Sequence, residues 1–177
     1  MKRRDAFRKL RTICQRIDEA GEFPVIPLRL YLFGSLLTEK PNPSDMDLLF
    51  EYRERSDLDP DDILHRLSYG KPLPHDQAVK HLRRGMKMIR IELLVGNVED
   101  WLEEHGFPPD TPMRLVWEPG LKWQHEVDEI ESCPAPWDSD QEKHHKYLQG
   151  NFTQLVEEQG LEAARGWFGR QINPRLR

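Results

Sequence analysis

Residues Leu30 to Tyr52, LYLFGSLLTEKPNPSDMDLLFEY, decide how the rest of the chain is read. An apolar run, Leu30-Tyr31-Leu32-Phe33, stops at Gly34-Ser35. A second run, Met46, Leu48, Leu49 and Phe50, is broken only by Asp45 and Asp47. The pattern predicts a strand, a glycine turn, a short excursion and a second strand. Side chains alternate faces along a strand at about 3.3 Å per residue, so Asp45 and Asp47 are expected on one side and Met46, Leu48 and Phe50 in the core. Two like charges opening an apolar strand are unfavourable unless water or a cation neutralises them. Magnesium, a hard cation that takes carboxylate oxygens, suits the pair. Gly34 permits a sharp turn and a close approach to a ligand, while Ser35 offers a hydroxyl and, with its neighbours, amide donors to phosphate oxygens.

A third carboxylate comes from Met86 to Gly96, MKMIRIELLVG. Lys87, Ile89, Ile91, Leu93 and Val95 alternate there with Met88, Arg90, Glu92 and Leu94, so one face is largely core and the other carries Arg90 beside Glu92. Taken alone, Glu92 reads equally as an ion-pair partner of Arg90 or a nearby lysine and as a functional group. The aspartates upstream favour the functional reading.

Phe33-Gly34-Ser35 and Asp45-Met46-Asp47-Leu48 resemble the signature of the DNA polymerase beta-like nucleotidyltransferase superfamily, over roughly Val25 to Val95. The Leu36 to Ser44 spacer is short for that family, and Pro41 and Pro43 are expected to curtail the helix that normally follows Gly-Ser. The resemblance implies that Asp45 and Asp47 hold two magnesium ions, with manganese as a substitute, and that Glu92 completes the second metal site. It implies that Gly34 and Ser35 seat the β- and γ-phosphates of an NTP, with ATP the expected one. An acceptor hydroxyl then attacks the α-phosphorus in line and pyrophosphate leaves. Arg90, on the Glu92 face, is placed to meet the triphosphate or the pyrophosphate. Acceptors in the superfamily include antibiotics, proteins, RNA ends and other nucleotides, and the shared motif does not separate them. The alternative is a non-catalytic module of the same fold that binds a protein or RNA partner, as in a toxin-antitoxin or defence system. Three carboxylates kept together argue against it.

At 177 residues the chain is long enough for one domain with a real core, or one domain with a helical appendage. A net charge of -5 argues against a protein that coats nucleic acid, though not against a local basic groove. Cys14 and Cys133 are too few for a disulfide framework, and Cys14 falls on an apolar helix face. Lys2, Arg3 and Arg4 precede charged residues rather than the apolar core of a signal peptide, and no stretch has the length and apolarity of a membrane span. A soluble, cytoplasmic protein is the expectation.

In chain order, Phe7, Leu10, Ile13, Cys14 and Ile17 predict an amphipathic helix over Asp5 to Ala20, ended by Gly21 and followed by a strand from Leu28 to Phe33. Asp59-Pro60 opens a helix carrying Ile63, Leu64 and Leu67. Asp57, Asp59, Asp61 and Asp62 lack the glycine and terminal glutamate of a calcium loop and read as a solvated helix start. His75 to Arg84 reads as a helix whose Lys80 and Arg83 form a solvated face. Val98 to Gly106 reads as a helix packing Val98, Trp101 and Leu102, and Met113 to Trp117 as a strand. The segment from Glu118 to Cys133 carries no secure assignment. Beyond Pro134-Ala135-Pro136, helices are expected over Ser139 to Gln149 and Phe152 to Gln171. This divides the chain into a nucleotidyltransferase-like domain over 1–133 and a helical appendage over 134–177. His144 and His145 with His125 and Cys133 match no zinc spacing. Trp167 and Phe168, set among Arg165, Arg170, Arg175 and Arg177, are better read as packing the last helix onto the sheet than as a base-stacking platform. The expected architecture is α/β of the α+β kind: a small mixed sheet with helices on one face and the active site on the other.

Overall fold

A computed structural model of the chain describes residues 1–21, 23–40, 42–57, 59–109, 111–136 and 138–172. The fold is of the expected class, a four-stranded mixed sheet combined with helices. Helix α1 (Arg3–Glu19) precedes strand β1 (Ile26–Phe33), which runs into a single 3-10 turn, Gly34–Leu37, and then β2 (Met46–Arg53). Helices α2 (Pro60–Ser68) and α3 (Pro74–Arg83) lead to β3 (Ile89–Leu94) and α4 (Val98–Glu104). Strand β4 (Met113–Trp117) and α5 (Trp123–Ser132) come next, and α6 (Ser139–Gln159) and α7 (Leu161–Ile172) close the described chain.

The strand order is β3-β2-β1-β4. β1 pairs antiparallel with both β2 and β4, and its register sets Phe33 opposite Asp47 and Leu30 opposite Phe50. Period-two alternation sorts the core face as expected, although Leu49 and Phe33, of the opposite parity, are buried as well. Leu30, Leu32, Met46, Leu48, Phe50, Ile89, Ile91 and Val116 join one buried cluster with the apolar side chains of α1, α3 and α5. The α1 stripe of Phe7, Leu10, Ile13, Cys14 and Ile17 is buried in full, which explains why an arginine-rich helix docks.

Several boundaries differ from the sequence expectation. β1 begins at Ile26 rather than Leu28, because Pro27 is accommodated opposite Tyr52 at a register shift. β3 begins only at Ile89, after Met88 at φ 61, and Val95 is exposed. The segment left unassigned forms α5, which buries Trp123, Val127 and Ile130. The indoles of Trp117 and Trp123 both donate to Asp18, at 2.7 and 2.6 Å, satisfying each buried N–H. α2 buries nothing, leaving Leu64 and Leu67 exposed. The acidic residues around its start have local uses. Asp59 accepts from the Asp61 amide as an N-cap, Asp57 pairs with Arg55, and Asp62 pairs with Arg66.

The chain forms two compact units, one of residues 1–93 and 113–135, the other of 94–112 and 136–177. The second therefore includes α4 as well as the tail. Within it, α6 runs unbroken through Gly150, where the sequence suggested an interruption, and the break falls at Gly160, φ +87. Leu148 and Phe152 of α6 pack with Ala164 and Phe168 of α7, and Trp167 lies against them. Both aromatics pack, but within the α6 and α7 cluster, where the sequence suggested the sheet as their partner. Gly106, φ +68, sits so close to Phe152 that a Cβ there would lie 2.7 Å from the ring. Arg165 is held by Glu103, Glu104 and Glu162. Arg175 and Arg177 lie outside the described residues, as do Pro41 and the side chain of His145.

Candidate functional site

The site begins where β1 ends. Phe33 pairs with Asp47 across the β1/β2 ladder, so the residue after Phe33 emerges beside the Asp47 carboxylate. That residue is Gly34, at φ +78, and a Cβ placed on it would lie 2.9 Å from Asp47 Oδ2. Both the left-handed backbone and the contact require glycine. The Gly34–Leu37 turn is fixed from below by Arg3, whose guanidinium donates to the carbonyls of Leu36, at 2.9 Å, and Thr38. The Thr38 amide and hydroxyl both donate to the Ser35 carbonyl. The helix after Gly-Ser is thus reduced to one turn, as the prolines of the spacer suggested. The Ser35 hydroxyl has no hydrogen-bond partner among the described residues.

Gly34→Ala is expected to cost about 1–2 kcal/mol of stability from the left-handed backbone alone. It also pushes the Asp47 carboxylate aside. Gly34→Val is expected to cost more, because its second branch meets the same oxygen. Urea denaturation of the parent and both variants checks the order.

Asp47 stands on β2, half-buried, and Asp45 immediately precedes the strand. Burial pushes the Asp47 carboxyl up to about 6, the charge of Asp45 adds to this, Arg90 opposes it, and Glu92 adds a smaller push upward. Asp45, Asp47, Arg90 and Glu92 are therefore one electrostatic unit, drawn from the start of β2 and the middle of β3. Asp45 Oδ1 accepts from the Ser44 hydroxyl at 2.6 Å, and Glu92 Oε1 accepts from Arg90 Nε at 2.5 Å. The bond to Glu92, together with the nearby carboxylates, raises Arg90 above its usual range despite opposing desolvation. Among the described residues, the group of three potential ligands with donor atoms within 4.8 Å of one another is His125, Glu126 and Glu129 on α5. Arg114 already lies on both of those glutamates. Asp45, Asp47 and Glu92 are coupled through their charges without being drawn that close.

The sign of the Asp47 shift gives a prediction for the metal-free protein. The folded state holds this proton more tightly than the unfolded chain, whose carboxyl titrates near 3.8. Stability is therefore lost as pH rises from about 4 to about 6, and the cost, at most about 3 kcal/mol, is complete above that window. Asp47→Asn is expected to be the more stable protein in chelator at pH 8 and to lose that advantage near pH 4. Denaturant titrations across the range measure the difference.

Sequence reasoning missed three contributors. Arg3 acts on carbonyls more than thirty positions away, and no local pattern announces such a contact. Ser44 orients Asp45. Met88, a non-glycine at positive φ, accepts from the Met46 amide at 3.0 Å and ties the start of β3 to the start of β2.

Fold and site together define an α+β protein with a glycine turn built against a cluster of strand carboxylates. Residues 1–106 match a family of unknown function, DUF6932, and the chain belongs to that family. The matched stretch contains Gly34, Ser35, Asp45, Asp47, Arg90 and Glu92. No curated protein matches the chain.

Proposed function

We propose that this protein is a nucleotidyltransferase that moves a nucleoside monophosphate from an NTP, ATP being the expected donor, to an acceptor hydroxyl with release of pyrophosphate. The observation that carries the reading is the fit between Gly34 and Asp47, in which the turn suited to phosphate touches a carboxylate suited to a cation. The donor set agrees: hard oxygen ligands, with Asp47 raised first by burial and then by the charge of Asp45, are what a hard divalent cation suits. Asp45, Asp47 and Glu92 would hold magnesium, or manganese, which when bound neutralises the triphosphate and acidifies the attacking hydroxyl. The chain's own groups do the positioning. Gly34 lets the backbone approach the phosphates, Ser35 offers its unengaged hydroxyl, and Arg90 exchanges Glu92 for phosphate oxygens.

The Arg90–Glu92 bond also favours a second reading, in which Glu92 is structural and the fold serves as a binding module without turnover. Among the described residues no helix is long and apolar enough to cross a membrane. Cys14 is buried, which pushes its thiol up to about 12, and Cys133 is exposed. A cytoplasmic location is part of this proposal, on the sequence's count of two cysteines. The test is incubation with each NTP, magnesium and a panel of acceptors, read by mass spectrometry. Transfer that needs both magnesium and Asp47 is the expected result. No transfer to any acceptor, together with no magnesium-dependent NTP binding, would count against the reading.

A further inference from the structure

The acceptor can be approached through the charge around β3. From Lys80 to Arg90 the chain carries Lys80, Arg83, Arg84, Lys87 and Arg90 with no Asp or Glu, inside a protein of net charge -5. Each of these side chains is exposed. Arg90 bonds Glu92, whereas Lys80, Arg83, Arg84 and Lys87 have no ion-pair partner among the described residues. α1 adds two more cations to the same segment. Lys9 Nζ donates to the Lys87 carbonyl at 2.7 Å, and Arg16 donates to the Leu82 carbonyl at 2.7 Å. The result is a basic strip, anchored from beneath by buried Ala78 and Leu82 of α3, that runs along the chain into the strand bearing Glu92.

We propose that this strip holds the phosphate backbone of a single-stranded nucleic acid whose 3′ hydroxyl is the acceptor, an inference that rests on the nucleotidyltransferase reading. A phosphate backbone needs only spaced cations, which gain affinity by releasing counterions. A protein partner needs apolar or aromatic anchors. The strip has no Phe, Tyr or Trp between residues 80 and 90, and Met88 is its one well-exposed apolar side chain. The same lack of aromatics means that bases are not stacked, so binding follows the backbone and not the base sequence. The unpaired cations stop at Lys87, and the next residue, Met88, accepts from the amide of Met46, which stands between Asp45 and Asp47, so the strip leads toward the carboxylates where an acceptor hydroxyl has to lie.

Fluorescence anisotropy of a 5′-labelled oligoadenylate tests the proposal. With four phosphate contacts, affinity is expected to fall roughly 50-fold between about 50 and about 200 mM salt. Reversing Arg83→Glu, Arg84→Glu and Lys87→Glu together is expected to weaken binding at least ~30-fold at the lower salt. Arg83→Lys with Arg84→Lys is expected to keep most of it. Calorimetry of magnesium-NTP on the same samples is expected to show unchanged nucleotide binding in the reversed variant. A parent that ignores the oligonucleotide, or a reversed variant that binds it equally well, overturns the proposal. So does equal and equally strip-dependent binding of anionic vesicles or of a glutamate-rich peptide. Absence of magnesium-NTP binding by the parent would instead sink the nucleotidyltransferase reading, so the two failures are distinguishable.

Discussion

Asp45→Asn combined with Asp47→Asn is expected to lower nucleotidyl transfer by at least ~10³-fold while raising the melting temperature of the metal-free protein. Both effects have one cause. Asp47 is half-buried beside two other carboxylates, and its raised pKa shows that the fold tolerates this charge at a cost. Removing two of the three charges relieves the repulsion and deletes the oxygens that would hold a divalent cation. A site kept at the expense of stability is the usual mark of function. The melting temperature in chelator and the transfer rate in magnesium are the paired readouts. A double variant that is less stable and fully active would mean that the aspartates serve the fold.

Glu92→Gln is expected to reduce turnover by roughly 10²- to 10⁴-fold with little change in NTP affinity, which depends mainly on Asp45, Asp47 and the Gly34-Ser35 turn. The competing account is explicit in the structure, where Arg90 Nε and Glu92 Oε1 are 2.5 Å apart. Arg90 is 68% exposed, however, and a pair so placed is worth at most about 1 kcal/mol. If pairing is the whole role of Glu92, the glutamine variant loses no more than that and keeps its activity. Steady-state kinetics with the true acceptor, set beside a denaturation curve, separates the accounts.

The carboxylates were legible in the sequence because a charge inside an alternating apolar strand is an anomaly at any resolution. Asp47 and Glu92 stand out against Met46, Leu48, Ile91 and Leu93 in the sequence itself. The core stripe of α1 was legible for the same reason of period. The closeness of Gly34 to Asp47 was not, since it depends on the Phe33–Asp47 register, which a turn of irregular length leaves open. Arg3 and Ser44 escaped notice because their contacts are set by tertiary placement and not by neighbours in a pattern. α5 was missed although Trp123, Val127 and Ile130 recur at helical spacing. Its N-cap, Lys122, makes no capping bond, so no start signal drew attention to it. In the tail, Gly150 suggests a break, but Leu148 and Phe152 on either side of it join one cluster with Ala164 and Phe168 and carry the helix through.

The most direct measurement is a calorimetric titration of a non-hydrolysable ATP analogue into the parent and into Asp47→Asn, each with magnesium and with chelator. The account predicts binding by the parent only when magnesium is present, and none by the variant under either condition. Binding of equal strength by parent and variant, or binding indifferent to magnesium, would contradict it.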